Sequence, residues 1–201
     1  MKYGVFKEKA RIVLLPLVNL FAKLNINPLV LTITGFLLNC FVAYLFAFGY
    51  FRWAGFALIF ASIFDAIDGA VARKNNAITD FGAFFDSTID RYSEFAVFLG
   101  ILIHYMKTAN PFFIFITLFA LFGSTMVSYT RARAEALGIQ CTVGLFDRTM
   151  RVTTVVIGAL LGKFIFGYFM LLLAFFTHVT SIQRIIHVRK KLRNSERRNN
   201  A

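Results

Sequence analysis

From Pro28 to Tyr50 the chain runs without one charged side chain. A helix of about 20 apolar residues spans the hydrocarbon core of a bilayer. In lipid no water bonds the backbone, so such a stretch must close its own hydrogen bonds as an α-helix. Further apolar runs follow at roughly 53–73, 78–106, 111–134, 149–161 and 164–187. Six spans with short connectors take up nearly all of the 201 residues and leave no room for a separate soluble domain. Composition agrees. Hydrophobic residues make up 58% and charged residues 16%, whereas soluble domains carry about 25% charged residues. The 26 Phe residues suit a lipid-facing surface and a core. An ordinary soluble enzyme, a disordered chain and a disulfide scaffold are all excluded.

The expected architecture is therefore an all-α integral membrane protein, one domain over 1–201. Its parts are an interfacial helix (1–25), a six-span core (28–187) and a basic tail (188–201) that frays in water. The interfacial helix is read from Phe6, Ala10, Val13, Leu14, Leu17, Phe21 and Leu24, which recur at helical spacing among Lys7, Lys9, Arg11 and Lys23. Pro16 should kink it. Glu8, Lys9 and Arg11 interrupt the apolar stretch, so the segment reads as retained rather than as a signal peptide. Cys40 and Cys141 are too far apart in sequence to suggest a disulfide framework or a metal cluster.

Charge sets the orientation. With six spans, every one of the 22 Lys and Arg residues except Arg52, Lys107 and Lys163 falls on the side of the two termini. The positive-inside rule then puts both termini in the cytoplasm of a multi-pass cell membrane. The net charge of +12 fits a rim facing anionic headgroups. No nucleic-acid module is present, and no nucleic-acid partner is expected.

Six of the ten acidic residues lie between Asp65 and Glu94. Asp65, Asp68, Asp86 and Asp90 sit in or at the ends of apolar helices. A charge at a helix centre costs about 2.5–3.5 kcal/mol, so four uncompensated ones cost on the order of 10 kcal/mol. Asp65 and Asp68 are spaced i, i+3, and Gly82, Asp86 and Asp90 are spaced i, i+4, i+8, so each set shares one helix face. A short turn around Asn75 and Asn76 brings the two faces together. Carboxylates converging there need cations between them. All-oxygen ligation favours Mg²⁺, with Mn²⁺ as a substitute, one or two ions in number. Mg²⁺ held this way usually completes its shell with phosphate oxygens. Gly69 and Gly82 let a ligand approach the backbone, and Arg73 can fork onto a phosphate. His104 and His187 read as interfacial residues, and His178 as a hydrogen-bonded packing residue between helices.

These residues read D-A-I-D-G-A-V-A-R, eight residues, then G-A-F-F-D-S-T-I-D. The stretch resembles the CDP-alcohol phosphotransferase signature, D-x2-D-G-x2-A-R-x8-G-x3-D-x3-D, at every fixed position. The resemblance implies a six-helix membrane enzyme, a homodimer, that moves a phosphatidyl-type group from a CDP-linked lipid to an alcohol and releases CMP. It implies two metal ions, with Asp65, Asp68 and Asp86 as ligands. Asp90 contacts the second metal and is the general base. Gly69, Arg73 and Thr79 line the cytidine diphosphate site, which Asp65, Asp68 and Gly82 border. Asn27 and Pro28, in N-I-N-P-L-V-L-T, look like a family opening beside the nucleotide.

The loop before the fifth span reads S-Y-T-R-A-R-A-E and then F-D-R-T-M-R. It is similar to the phosphatidylinositol phosphate synthase branch, which uses inositol 1-phosphate. By that resemblance Arg131, Arg148 and Arg184 hold the phosphate of a small phosphorylated acceptor. Arg131 stands where lysine is usual, and Thr149 where proline is common. Glycerol 3-phosphate is therefore an alternative acceptor, and an archaeal ether lipid is as compatible a donor as CDP-diacylglycerol. A cation-coupled transporter would place its charges at the bilayer midplane in repeated, broken helices. The aspartates lie towards one side instead, and no repeat is seen.

Overall fold

The computed structural model describes residues 15–24, 26–75 and 77–199, apart from the side chains of 195, 196, 198 and 199. The described residues form helices joined by short loops, with no strand among them. The helices are α1 (15–23), α2 (Pro28–Ala47), α3 (Phe51–Lys74), α4 (Asp80–Lys107), α5 (Pro111–Ala136), α6 (Arg148–Leu161) and α7 (Lys163–Asn199).

Their boundaries follow local chemistry. Asn27 precedes Pro28, and its Oδ1 accepts the Leu29 N–H at 3.0 Å. Asn110 precedes Pro111 and accepts the Phe113 N–H at 3.2 Å. Both are helix starts in which an Asn cap meets a proline that has no N–H to lose. Asp147 caps α6 through the Met150 N–H at 3.0 Å, and Thr79 caps α4 through the Gly82 N–H at 2.9 Å. Gly162, at φ +100, ends α6.

Among the described residues, four helices are long and apolar enough to cross a bilayer: α2, α3, α5 and residues Lys163–Asn194 of α7. The sequence pattern predicts six spans. α4 has the length, 28 residues, but Asp80, Asp86, Asp90, Arg91 and Glu94 lower the hydropathy of its first half. α6 has only 14 residues, roughly 21 Å at 1.5 Å per residue, against a core of about 30 Å. The expected fraying tail is instead helix as far as Asn199. Neither Gly nor Pro follows Gly167, and Lys, Arg and Leu favour the helix. Most of the proposed interfacial segment 1–25 lies outside the described residues; 15–23 are helical.

The chain forms two compact units, residues 1–42 with 57–97, and 43–56 with 98–201. In the first, Val18 of α1, Leu31 of α2, and Ile67 and Val71 of α3 make a buried cluster. Phe21 and Phe64 meet beside it at 6.3 Å. In the second, α7 packs along α5 and α6. Thr117, Ala120, Ser124 and Val127 on α5 and Met170, Leu173, Thr177 and Ser181 on α7 are buried. Such small-residue seams let helices approach closely in lipid, where burial from water gives no driving force. Phe46, Phe51 and Phe166 form a second centre, with rings 4.9–5.4 Å apart. His178 bonds the Phe119 carbonyl at 3.2 Å and stacks on its ring at 4.0 Å, as a packing histidine should.

Gly100 marks the tightest helix crossing. A Cβ there would lie 2.2 Å from the Ala43 carbonyl oxygen, which is backbone and cannot rotate away. Gly35→Ala meets nothing within 4 Å. Gly100→Ala should therefore cost about 1–3 kcal/mol of stability as an overpacked contact, and Gly35→Ala should be neutral. Thermal unfolding of both variants in one detergent tests this; equal melting temperatures would contradict the packing.

Candidate active site

The first unit contains a cleft of about 740 Å³. Its walls are the start of α2, from Ile26 to Leu29 with Thr32, the last turns of α3, and the start of α4 with its preceding loop. Asn27, Pro28, Asp68, Gly69, Arg73, Thr79 and Gly82 all line it. Two helix N-termini thus open onto one cavity, and their partial positive charge favours an anion there. Asn27 and Thr79 also have a plain structural task, as the caps of α2 and α4.

Asp65 on α3 and Asp86 and Asp90 on α4 each offer a carboxylate oxygen, and these three atoms lie within 4.8 Å of one another. Asp86 also lines the cleft, so the cluster borders it. An octahedral ion with oxygens about 2.1 Å away sets opposite ligands about 4.2 Å apart. The spacing fits a divalent cation with small adjustment, and the all-oxygen donor set suits a hard one.

Asp68 stands apart from that trio. It is 4% exposed, and its Oδ2 accepts the Thr32 hydroxyl at 2.9 Å. Its Oδ1 accepts the Gly69 N–H. Asp65 and Asp86 are its charged neighbours. The structure thus brings all four aspartates into one neighbourhood, with three offering oxygens close enough to share one ion and the fourth also bonded to α2. Gly69 faces the Arg73 guanidinium, whose Nη1 would be 3.4 Å from a Cβ at that position. Arg73 is exposed. Arg91 pairs with Glu94 at 2.9 Å.

The second unit carries the arginines. Arg184 is 4% exposed; its Nε donates to the Val143 carbonyl at 3.0 Å and its Nη1 to the Val127 carbonyl. These bonds use two of the five N–H groups of a guanidinium. Arg131 and Arg151 are its cationic neighbours, and Asp147 is a nearby carboxylate. Arg151 is 2% exposed, with Nη2 3.4 Å from the Ser128 hydroxyl. Arg131 pairs with Glu135 at 2.8 Å on the surface. Arg148 opens α6 directly after its cap Asp147. Guanidiniums crowded in this way are stabilised by an anion between them.

Residues 25–187 match the CDP-alcohol phosphatidyltransferase family. The chain belongs to that family. An archaetidylinositol phosphate synthase from Methanothermobacter thermautotrophicus is 43% identical over 169 residues, 81% of this chain and 83% of its own. A phosphatidylinositol phosphate synthase of Mycobacterium tuberculosis, crystallised with CDP-DAG bound, superposes with a TM-score of 0.80 at 32% identity. The match covers 86% of this chain and 92% of that one. The same mycobacterial protein in complex with manganese and citrate gives a TM-score of 0.79. The chain is thus a membrane transferase of phospholipid synthesis, and its carboxylate cluster suits the divalent metal that such an enzyme uses.

Thr32 was missed by reasoning from the sequence. In N-I-N-P-L-V-L-T it reads as an ordinary helical threonine, and its contact with Asp68 joins residues 36 positions apart. The one local hint was its position a turn beyond the Asn-Pro cap. Its hydroxyl also reaches the Pro28 carbonyl at 3.1 Å. Thr32→Val keeps the shape and removes the donor. CDP affinity in the presence of Mn²⁺, measured by calorimetry, should fall about tenfold, the lower end of what a hydrogen bond to a charged group is worth. Unchanged affinity would reduce Thr32 to a helix residue bonding its own backbone.

Proposed function

We propose that this enzyme transfers a phosphatidyl-type group from a CDP-linked lipid to a hydroxyl of inositol 1-phosphate, releasing CMP. The donor's lipid is diacylglycerol or an archaeal ether lipid. One observation carries the reading: the Asp65, Asp86 and Asp90 oxygens converge at the edge of a cleft that Asp68, Gly69 and Arg73 line. The inositol phosphate acceptor draws support from the relatives named for that product.

In this reading Asn27, Pro28, Gly69, Arg73, Thr79 and Gly82 border the cytidine diphosphate, with Asp65 and Asp68 at its metal end. The N-termini of α2 and α4 favour its negative charge, and the Arg73 fork takes a phosphate oxygen. Asp65, Asp68, Asp86 and Asp90 would hold two Mg²⁺ ions, or Mn²⁺ in their place. Such metals, when bound, polarise the phosphoryl group and neutralise the departing phosphate. Asp90 accepts the proton of the acceptor hydroxyl as its oxygen bonds the β-phosphorus. The bond from that phosphorus to the bridging oxygen breaks, and CMP leaves with the electron pair. Arg131, Arg148 and Arg184 hold the acceptor's phosphate, for which Arg131 exchanges its surface partner Glu135.

The same reading takes 1–201 as one catalytic domain in a multi-pass cell membrane. α4 and α6 complete six spans, α4 with its charged half in the site. Both termini and the site face the cytoplasm, and the enzyme works as a homodimer.

Asp90→Asn should lower turnover by at least 10²-fold, the scale of general-base catalysis, while CDP-lipid binding stays within a few-fold. CMP release and nucleotide titration read the two quantities. A near-native kcat would exclude Asp90 as the base.

Arg148→Ala should raise the KM for inositol 1-phosphate about ten- to hundredfold, the worth of one charge-assisted contact. The KM for the CDP-lipid should hardly change. Assay of wild type and variant with inositol 1-phosphate, free inositol and glycerol 3-phosphate settles the acceptor. Better use of glycerol 3-phosphate by the wild type would replace the proposed one. Equal losses on phosphorylated and free acceptors would remove Arg148 from the phosphate pocket.

A further inference from the structure

The second unit holds another cavity, a groove of about 580 Å³ between the C-terminal turns of α5 and residues 184–193 of α7. Arg133 faces it from α5, and Arg189 and Arg193 from α7, all three exposed. Arg189 and Arg193 are spaced i, i+4 and share a face. None of the three has an ion-pair partner among the described residues. Arg184 closes the inner end, with its Nε and one Nη1 hydrogen already given to carbonyls.

The remaining wall is apolar and exposed. Tyr129 and Leu137 are 56% and 54% exposed, and Ile185 and Leu192 are 55% and 40% exposed. Ile185, Val188 and Leu192 follow one another at i, i+3, i+7, a continuous hydrophobic stripe beside the arginine stripe. α5 and residues Lys163–Asn194 of α7 are both long and apolar enough to cross a bilayer. The groove runs beside their charged C-terminal ends, the part of a bilayer-crossing helix that would meet lipid headgroups. A soluble polyol phosphate would need polar walls for its hydroxyls, and these are greasy. Arg133 is also two residues from Arg131, so the two do not share a helix face.

We propose that this groove is a binding site for an anionic phospholipid. Arg133, Arg189 and Arg193 clasp its phosphate, and an alkyl chain lies along Ile185, Val188 and Leu192. Basic pockets between membrane helices recognise phosphorylated headgroups by the same physics, and arginine forks give it geometry. Arg184 at the inner end is shared with the proposed acceptor residues, whereas Arg133, Arg189 and Arg193 belong to neither proposed set. It would make the enzyme responsive to the anionic lipid content of its own membrane.

The test compares the wild type in neutral detergent with two triple variants. R133Q/R189Q/R193Q empties the groove of charge. K190Q/K191Q/R197Q removes as many positive charges from exposed positions that do not line it. Native mass spectrometry follows retention of phosphatidic acid and of phosphatidylcholine, and CMP release in detergent with the CDP-lipid donor as the only lipid reports folding. The groove variant should bind phosphatidic acid at least tenfold more weakly, with phosphatidylcholine retention and basal CMP release unchanged. The control variant should bind like the wild type. Equal retention by wild type and groove variant overturns the proposal, as does an equal loss in the control, which would mean diffuse attraction. Competition by glycerol 3-phosphate at the same concentration as the lipid would overturn it too, in favour of a soluble-anion site. If the triple variant loses CMP release, Arg133→Gln and Arg193→Gln singly must each weaken phosphatidic acid several-fold for the proposal to stand.

Discussion

Three carboxylate oxygens held within 4.8 Å of one another repel strongly. At an effective dielectric constant of about 20, each ionised pair at that distance costs about 3.5 kcal/mol. Three such pairs cost on the order of 10 kcal/mol, comparable to the whole stability of a typical domain. A cation of charge +2 removes this cost and reverses its sign. The first unit sets this cluster at the edge of its cleft, where a divalent cation would be favoured. α3 and α4 reverse direction across the short connection at 75–79, which sets Asp65 against Asp86 and Asp90. Thr32 holds Asp68 to α2, and the α1 cluster of Val18, Leu31, Ile67 and Val71 locks α2 and α3 together behind it.

The second unit solves the opposite problem. Arg151 and Arg184 are almost fully buried, and the Arg184 guanidinium donates to the backbone carbonyls of Val143 and Val127. A carboxylate in place of those carbonyls would cancel the Arg184 charge and leave it less to offer a ligand. Carbonyl partners orient the guanidinium and leave its positive charge uncancelled, which suits recognition of an anion.

Much of this was legible in the sequence. Spacing at i, i+3 and i, i+4 puts side chains on one helix face whatever that helix packs against. The convergence of Asp65, Asp68, Asp86 and Asp90 followed from those spacings, and Gly69 and Arg73 stand in the signature, while Asn27 and Thr79 came from the family resemblance alone. What was hidden depended on tertiary partners. The bond from Thr32 to Asp68, which separates Asp68 from the trio, joins two helices and leaves no periodic trace. The carbonyls that hold Arg184 belong to Val127 and Val143, and any residue has such a carbonyl. Span counting and helix length diverge at α6, whose apolar run stops at Gly162 after 14 residues, short of a full bilayer crossing by length alone. The tail misled in the other direction, because charge alone was read as disorder although no residue in it breaks a helix.

The loop between α5 and α6 has a consequence for binding. Its Phe146 N–H bonds the Thr180 hydroxyl at 3.0 Å, and its Val143 carbonyl takes the Arg184 Nε at 3.0 Å. Gly144, at φ +122, lets the chain pass so close to Thr180 that a Cβ would sit 2.4 Å from its methyl group. The segment is thus fastened to α7 at several consecutive residues rather than hinged over it. Ordering a loop on binding costs about 1–2 kcal/mol of backbone entropy per residue. Here that cost belongs to folding, so a ligand meeting Arg148 at the end of this segment encounters a surface already in shape. An anion drawn to that end of the segment by charge steering would find these contacts already made.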